Sequence, residues 1–254
     1  LPRLDVIIVS YNTRGDTLAC LASLFAPATQ DLATILVVDN ASTDGTVEAI
    51  RSTWPRVEVV ALERNSGFAA ANNVGFRRTT APLVLLLNSD TIVPPGAIGT
   101  LADRLEATGT VAVGPRLVND AGHPEVSFGQ MLTPAAEAAQ VIRGRLARSS
   151  AGWARRRTER HVSEERQVDW VSGACLLVRR DAAEEVGFFD ERFFLYEEDV
   201  DFCAALRARG GRVLFTPHAT VVHHGGRSGA PRSGQYDRSH VLFYEKHAPH
   251  WAPW

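Results

Sequence analysis

The chain has 254 residues, a formal net charge of −2 and 45% hydrophobic residues, a composition ordinary for a globular protein with one large core. This charge balance gives no global reason to expect a nucleic-acid partner, and no apolar run is long enough to span a membrane. Cys20, Cys175 and Cys203 are too dispersed for a zinc or disulfide framework; with no signal-peptide pattern at the start, they suggest a reducing, cytoplasmic compartment.

In chain order, Asp5–Ser10 reads as a short apolar strand ended by Tyr11-Asn12, and a helix follows from about Asp16 with Leu18, Leu21 and Leu24 at helical spacing. Thr34–Asp39 is a second buried strand, and the cap-rich turn Asn40–Gly45 leads into a helix near Thr46–Arg51. Val57–Leu62 is a third strand, and Asn65-Ser66-Gly67-Phe68 turns into a small-residue helix, Ala69–Arg77. The run Leu83–Leu87 has no polar break, as in a strand buried on both faces, and ends in Asn88-Ser89-Asp90 before Pro94-Pro95-Gly96. This alternation predicts a mostly parallel α/β sheet with helices on both faces.

Three strands end in polar residues, at Ser10-Tyr11-Asn12, Asp39-Asn40 and Asn88-Ser89-Asp90, and such ends at one sheet edge describe a ligand cleft. Asn88 and Asp90, two apart on an extended strand, share a side and could address one ion or phosphate; the competing reading is a turn. Glycine-rich dinucleotide and P-loop motifs are absent. Asp39 can accept from the N–H of a pyrimidine and Tyr11 can pack on it, although Asp39 could equally cap the following turn.

Val111–Pro115 reads as a strand and Arg116–Val126 as a hairpin-like excursion. A helical pattern at Ala135–Val141 precedes Arg143, Arg145, Arg148, Arg155, Arg156, Arg157 and Arg160, with Trp153 among them. Arginines interleaved with Trp suit a segment resting on anionic headgroups or gripping an acceptor diphosphate; the alternative is a flexible basic loop over about 143–166. Val168–Val178 is a turn entering a buried strand, where Gly173 permits close approach and Trp170 is open to a core role. Arg180 starts a short helix to about Gly187. The aromatic loop Phe188–Tyr196 then leads into Glu197-Glu198-Asp199-Val200-Asp201, the start of a helix to about Arg209. Like charges among apolar neighbours raise carboxylate pKa values, which suits a general base. Helical periodicity groups Asp199 with Cys203 and Leu206 and turns Asp201 roughly the opposite way. Val213–Pro217 and Ala219–Val222 are strand-like runs before His223-His224-Gly225-Gly226-Arg227-Ser228. Arg238, His240, Tyr244 and Lys246 lie on a final helix that either packs on the domain or continues towards a membrane.

Four of these stretches, Val9-Ser10-Tyr11-Asn12, Val37-Val38-Asp39-Asn40-Ala41-Ser42-Thr43-Asp44-Gly45-Thr46, Asn65-Ser66-Gly67-Phe68-Ala69 and Asn88-Ser89-Asp90, resemble in order the motifs of family-2 inverting glycosyltransferases with a GT-A fold, rhamnosyltransferase-like branch. The resemblance implies a catalytic domain over 1–228, with a nucleotide-binding half to about 115 and an acceptor half from about 116, followed by an extension over 229–254. It implies that Tyr11 and Asp39, flanked by Ser10 and Asn12, hold the base and ribose, and that Asn65 and Asn72 line the nucleotide-sugar pocket. Asp90 would bind a divalent metal, Mn2+ or Mg2+, completed by His223; Asn88 stands where the commoner motif has an acid. Trp170 and Gly173 would lie on the donor-sugar and acceptor side, the Glu198-Asp199 pair would supply Asp199 as base, and Gly225 and Gly226 would let their loop close over the diphosphate. The implied donor is dTDP-L-rhamnose, with a UDP-sugar next. The implied acceptor is a glycan or polyprenyl-linked sugar, met peripherally at the inner face of the plasma membrane during cell-envelope polysaccharide synthesis. A nucleotidyltransferase would need a phosphate loop that Ser10–Gly15 does not supply, and a silent binding module would not need Glu198-Asp199.

Overall fold

The computed structural model describes residues 4–25, 32–149, 151–225 and 232–248. Three βα units open it: β1 (Leu4–Ser10) with α1 (Arg14–Leu24), β2 (Leu32–Asp39) with α2 (Thr46–Thr53), and β3 (Glu58–Ala61) with α3 (Phe68–Phe76). Then come β4 (Leu83–Asn88), β5 (Thr91–Ile92), α4 (Ala97–Thr108), β6 (Ala112–Val118) and β7 (Phe128–Gly129). A helical pair, α5 (Pro134–Ala147) and α6 (Gly152–His161), precedes β8 (Arg166–Val168), β9 (Trp170–Val171) and β10 (Cys175–Arg179). The remainder is α7 (Arg180–Glu185), α8 (Glu198–Ala208), β11 (Val213–His223) and α9 (Arg232–His247).

Among the described residues the main sheet has nine strands, in the order β3-β2-β1-β4-β10-β6-β11-β5, with β8 also on β11. β1 runs parallel to β2 and β4, and β10 inserts antiparallel between β4 and β6. Side chains alternate across the sheet, so the uniformly apolar strands feed two cores. Ile8, Leu85 and Leu87 pack with α1, α2 and α4 on one face, whereas Ile7, Val84 and Leu86 pack with α3 and α8 on the other. Register then does the positional work: Ser10 lies opposite Asp39, and Val9 opposite Asn88, so the polar strand ends reach one edge together.

Three features refine the expectations. Helix α4 is additional, although Ile98, Leu101, Ala102 and Leu105 bury one face at helical spacing. The two expected runs after Arg212 form a single strand, β11, whose register with β6 shifts between Thr216 and Thr220 around Pro217. The basic stretch considered flexible folds as α5 and α6; Thr133 caps α5 by accepting from the Ala136 N–H at 3.1 Å, and Ala154 and Thr158 anchor α6. Helix α9 packs on the domain through Phe243, and among the described residues no helix is long and apolar enough to cross a membrane.

Candidate active site

The aligned strand ends and the start of α8 enclose a cleft of about 730 Å³. On the β1–β2 side, Tyr11 stands 36% exposed on the wall. Asn12, in a left-handed conformation (φ 51°), donates its N–H to Ser42 Oγ at 2.8 Å and accepts from the Thr43 N–H at 2.8 Å. Asp39 lies just behind the wall. One of its oxygens accepts from the Ser42 N–H at 2.8 Å, while Oδ2 is buried without a partner. The turn-capping reading therefore accounts for half of this carboxylate, and the other half retains acceptor capacity. Asn40, which the sequence offered only as part of a strand end, ties the walls together: it donates to Asn65 Oδ1 at 2.8 Å and accepts from the Ser66 N–H at 2.8 Å.

At the end of β4, Asn88 and Asp90 both face the cleft, and Asn88 Oδ1 is buried and unpartnered. Asp90 Oδ1 lies 3.5 Å from His223 Nε2, and the other ring nitrogen of His223 lies 3.0 Å from Glu125 Oε2. Burial lowers the His223 pKa, but the Glu125 hydrogen bond and the Asp90 charge outweigh it, so the net shift is upward. The arrangement has the form of a carboxylate-oriented metal-ligand histidine. Glu125 was missed in the sequence because nothing local links it to a residue 98 positions away. No cluster of three or more His, Cys, Asp or Glu among the described residues could hold a metal alone. Asp90 and His223 fit a divalent ion that takes its remaining ligands from a bound diphosphate, with the free Asn88 oxygen available as a neutral donor.

The facing wall is the acidic end of α8. Glu198 is buried with Oε2 unpartnered, and its pKa lies well above the ordinary range because of burial and then the neighbouring Asp199 charge. Burial also raises the Asp199 pKa, but this carboxylate accepts N–H bonds at 2.8 Å from both Gly173 and Val200, which favour its charged form. Both carboxyls are thus shifted upward, Glu198 the more strongly, and the two N–H bonds are what favours the charged form of Asp199. Asp201 turns away, as the periodicity predicts; it is buried against α9, 2.8 Å from Lys246 Nζ and 2.7 Å from His247 Nε2. Tyr196 and Glu197 both adopt left-handed conformations, at φ 72° and 63°. They are held by a Ser239 bond to the Leu195 carbonyl at 2.8 Å and a His240–Glu197 contact at 2.8 Å.

Besides Asp39, three further expected binding residues are displaced from the cleft wall. Ser10 is buried beneath it, bonding Thr17 at 2.9 Å and Thr13 at 3.3 Å, and Thr13 in turn reaches Ser89 at 2.9 Å. Asn72 faces inward on α3 and donates to the Phe68 carbonyl at 3.0 Å, because its i, i+4 position points it back along the helix. Trp170 is a core residue: its indole N–H bonds Gln130, and a Cβ at Gly129 would come within 2.8 Å of the ring. Its neighbours Ser172, Gly173 and Ala174 do line the cleft. Gly226, Arg227 and Ser228 lie outside the described residues.

Residues 5–187 match the glycosyl transferase family 2 profile. The chain is 35% identical to the N-acetylglucosaminyl-diphospho-decaprenol L-rhamnosyltransferase of Mycobacterium tuberculosis, with 96% of this chain and 81% of that protein covered. It is 28% identical to the O-antigen biosynthesis protein RfbC of Myxococcus xanthus, spanning 17% of that longer protein. Among solved structures it resembles GalNAc-T7 with UDP, GalNAc and Mn2+ at a TM-score of 0.70 and 18% identity, covering 96% of this chain but about half (48%) of that one. It also resembles the mannosyltransferase PcManGT of Pyrobaculum calidifontis in complex with GDP-Man and Mn2+, at 0.61 and 20%, covering 96% of this chain and 64% of that one. The fold is that of the GT-A glycosyltransferases. The chain belongs to glycosyltransferase family 2, and its relatives include a rhamnosyltransferase.

Proposed function

We propose that the protein is an inverting, metal-assisted rhamnosyltransferase that moves L-rhamnose from dTDP-rhamnose to a hydroxyl of a polyprenyl-diphosphate-linked sugar in cell-envelope polysaccharide synthesis. The observation that carries the reaction type is one cleft with the Asp90–His223 pair on one wall and Asp199 on the other. The named activity of the 35%-identical relative supports the donor sugar and the acceptor class.

In this reading Tyr11 packs on the base, and Asp39 Oδ2 accepts from the nucleoside. Asp199, held by the Gly173 and Val200 N–H groups, removes the proton of the acceptor hydroxyl, whose oxygen attacks the anomeric carbon opposite the leaving nucleotide. One displacement inverts configuration without an enzyme nucleophile. A divalent ion at Asp90 and His223 would neutralise the departing diphosphate, and an imidazole ligand favours Mn2+ slightly over Mg2+. Val141, Ile142 and Trp153 are 53%, 58% and 61% exposed on the arginine-rich α5–α6 pair, which supports peripheral contact with an anionic membrane surface.

Asp199→Asn should lower transfer by about 10²–10⁴-fold while leaving nucleotide affinity nearly unchanged. Near-normal turnover would remove Asp199 from the base role. Thermal shift with dTDP-, UDP- and GDP-sugars, with and without Mn2+, tests the donor: stabilisation confined to UDP- or GDP-sugars would reject dTDP-rhamnose.

A further inference from the structure

A second cavity, of about 370 Å³, lies between α5, α6 and β8 and shares no lining residue with the cleft. Arg143, Arg157, Arg160 and Arg166 line it, with His161 and Leu146. Arg77, Arg104, Arg116, Arg180, Arg192 and Arg207 each have a carboxylate partner. Among the described residues Arg143, Arg157 and Arg160 form no ion pair, and Arg166 has only the exposed Glu164 at 3.6 Å. Three unpaired guanidiniums and a weakly paired fourth thus share one concave site, whereas the other described arginines without an ion pair line no common cavity with them. Burial and then Arg143, Arg166 and Arg157 lower the His161 pKa, in keeping with a strongly positive interior.

The site is built on fixed parts. Phe128 stacks on Phe215 with ring centroids 3.9 Å apart, His161 stacks on Phe128 at 5.1 Å, and the Arg166 guanidinium lies 5.9 Å from the Phe128 ring centroid. It also adjoins the cleft. Glu125 holds His223 at the cleft, the next residue, Val126, lines the basic cavity, and the Ser127 carbonyl accepts the N–H of the cleft residue Ser172. Consecutive Cα atoms are about 3.8 Å apart, so one chain segment separates the two sites.

We infer that this cavity is a second anion site, distinct from the donor-diphosphate position, and that it takes the diphosphate of the acceptor. Arginine is the side chain suited to multidentate phosphate recognition, and several unpaired guanidiniums in one cavity match a multiply charged group. The volume corresponds to roughly a dozen waters at ~30 Å³ each, ample for a diphosphate. An acceptor held there by its diphosphate would have its sugar directed over the Glu125–Ser127 segment towards Asp199, with its lipid on the side of the exposed Ile142 and Trp153. The anion site rests on the cavity alone; its occupant rests on the function proposed above.

The test compares wild type with Arg157→Gln/Arg160→Gln, both exposed positions, and with Arg155→Gln/Arg156→Gln, which removes the same charge from the same helix outside the cavity. Calorimetric binding of inorganic pyrophosphate in chelator should weaken about tenfold or more in the cavity variant only, and should survive Asp90→Ala. For a short-chain polyprenyl-diphosphate-linked acceptor, the acceptor KM should rise by a similar factor, with donor KM unchanged. An alkyl glycoside of the same sugar should show no change. Equal pyrophosphate binding in wild type and cavity variant, or equal losses in both double variants, would overturn the site. Weaker sedimentation with phosphatidylglycerol vesicles while pyrophosphate binding and acceptor KM are unaltered would make the patch a membrane surface and refute the proposal. Absence of transfer from any donor would instead refute the proposed function, leaving the pyrophosphate measurement to decide the anion site.

Discussion

The most informative perturbation is Gly67→Ala, because it links a turn lining the cleft to the proposed base. Gly67 has φ 88° and ψ 169°, a region of backbone space that essentially only glycine occupies. A Cβ there would lie 2.5 Å from the Phe194 carbonyl oxygen and 2.9 Å from Phe194 Cα, backbone atoms that cannot rotate aside. The same Phe194 carbonyl accepts the Phe68 N–H at 2.7 Å, so relief requires the two loops to part. Backbone strain of roughly 1–3 kcal/mol and overpacking of similar size together suggest a loss of about 2–4 kcal/mol. For a domain of this size that lowers Tm by roughly 5–15 °C. The loop that moves leads straight into Glu198 and Asp199, and a 1 Å misplacement of a reacting group can cost about 10²-fold in rate. Thermal unfolding and steady-state transfer on one preparation measure both effects. A variant with wild-type Tm and wild-type kcat would refute the argument that Gly67 fixes the acidic loop.

Other expectations follow from individual contacts. Glu198 has its folded-state pKa raised, so its contribution to stability is present at low pH and lost as pH rises through that folded value. Glu198→Gln should therefore raise Tm at pH 8 and do so less at pH 4; the opposite ordering would show that the charged form is the stabilised one. Lys246→Met leaves the buried Asp201 with His247 as its remaining side-chain partner on α9 and should cost about 1–3 kcal/mol in urea unfolding, whereas no loss would make the α8–α9 ion pair energetically idle. Glu125→Gln weakens the orientation of His223 and should reduce Mn2+ affinity by about 10–100-fold in calorimetry with nucleotide present; unchanged affinity would remove His223 from the metal site.

The half of the cleft built on β1, β2 and β4 was legible because its information is local. Uninterrupted apolar runs marked β1, β2 and β4, and in a parallel sheet register alone brings Asp39, Asn88 and Asp90 to one edge. Local reading fails where a side chain's direction depends on packing. Ser10 and Asn72 sit in the expected elements but point inward, and Trp170 is claimed by the space above Gly129. The acidic cluster was legible as a helix start, and the 3.6-residue period separated Asp199 from Asp201. It could not show that Asp201 is neutralised by α9, some 45 residues later. Helix α4 carried a readable apolar stripe, whereas Glu125 and Asn40 acquire their roles only through partners distant in sequence.

That contrast bears on how the site keeps its geometry. Tyr11, Asn88 and Asp90 stand at strand ends braced by the core, and their positions follow from register. The Asp199 wall instead begins with two left-handed non-glycine residues, a conformation costing of order 1–3 kcal/mol each. Such strain persists only when surrounding contacts over-determine it, and here they come from three separate elements: Gly67 against Phe194, the Gly173 N–H on Asp199, and Ser239 and His240 of α9 on Leu195 and Glu197. Loss of any one brace should displace the carboxylate more readily than it unfolds the sheet. Substitutions in α9, remote in sequence from every family motif, should therefore reduce kcat before they reduce nucleotide binding. Paired measurements on Ser239→Ala would show this as a fall in turnover at constant donor affinity, and a parallel fall in both would place the helix in general stability instead.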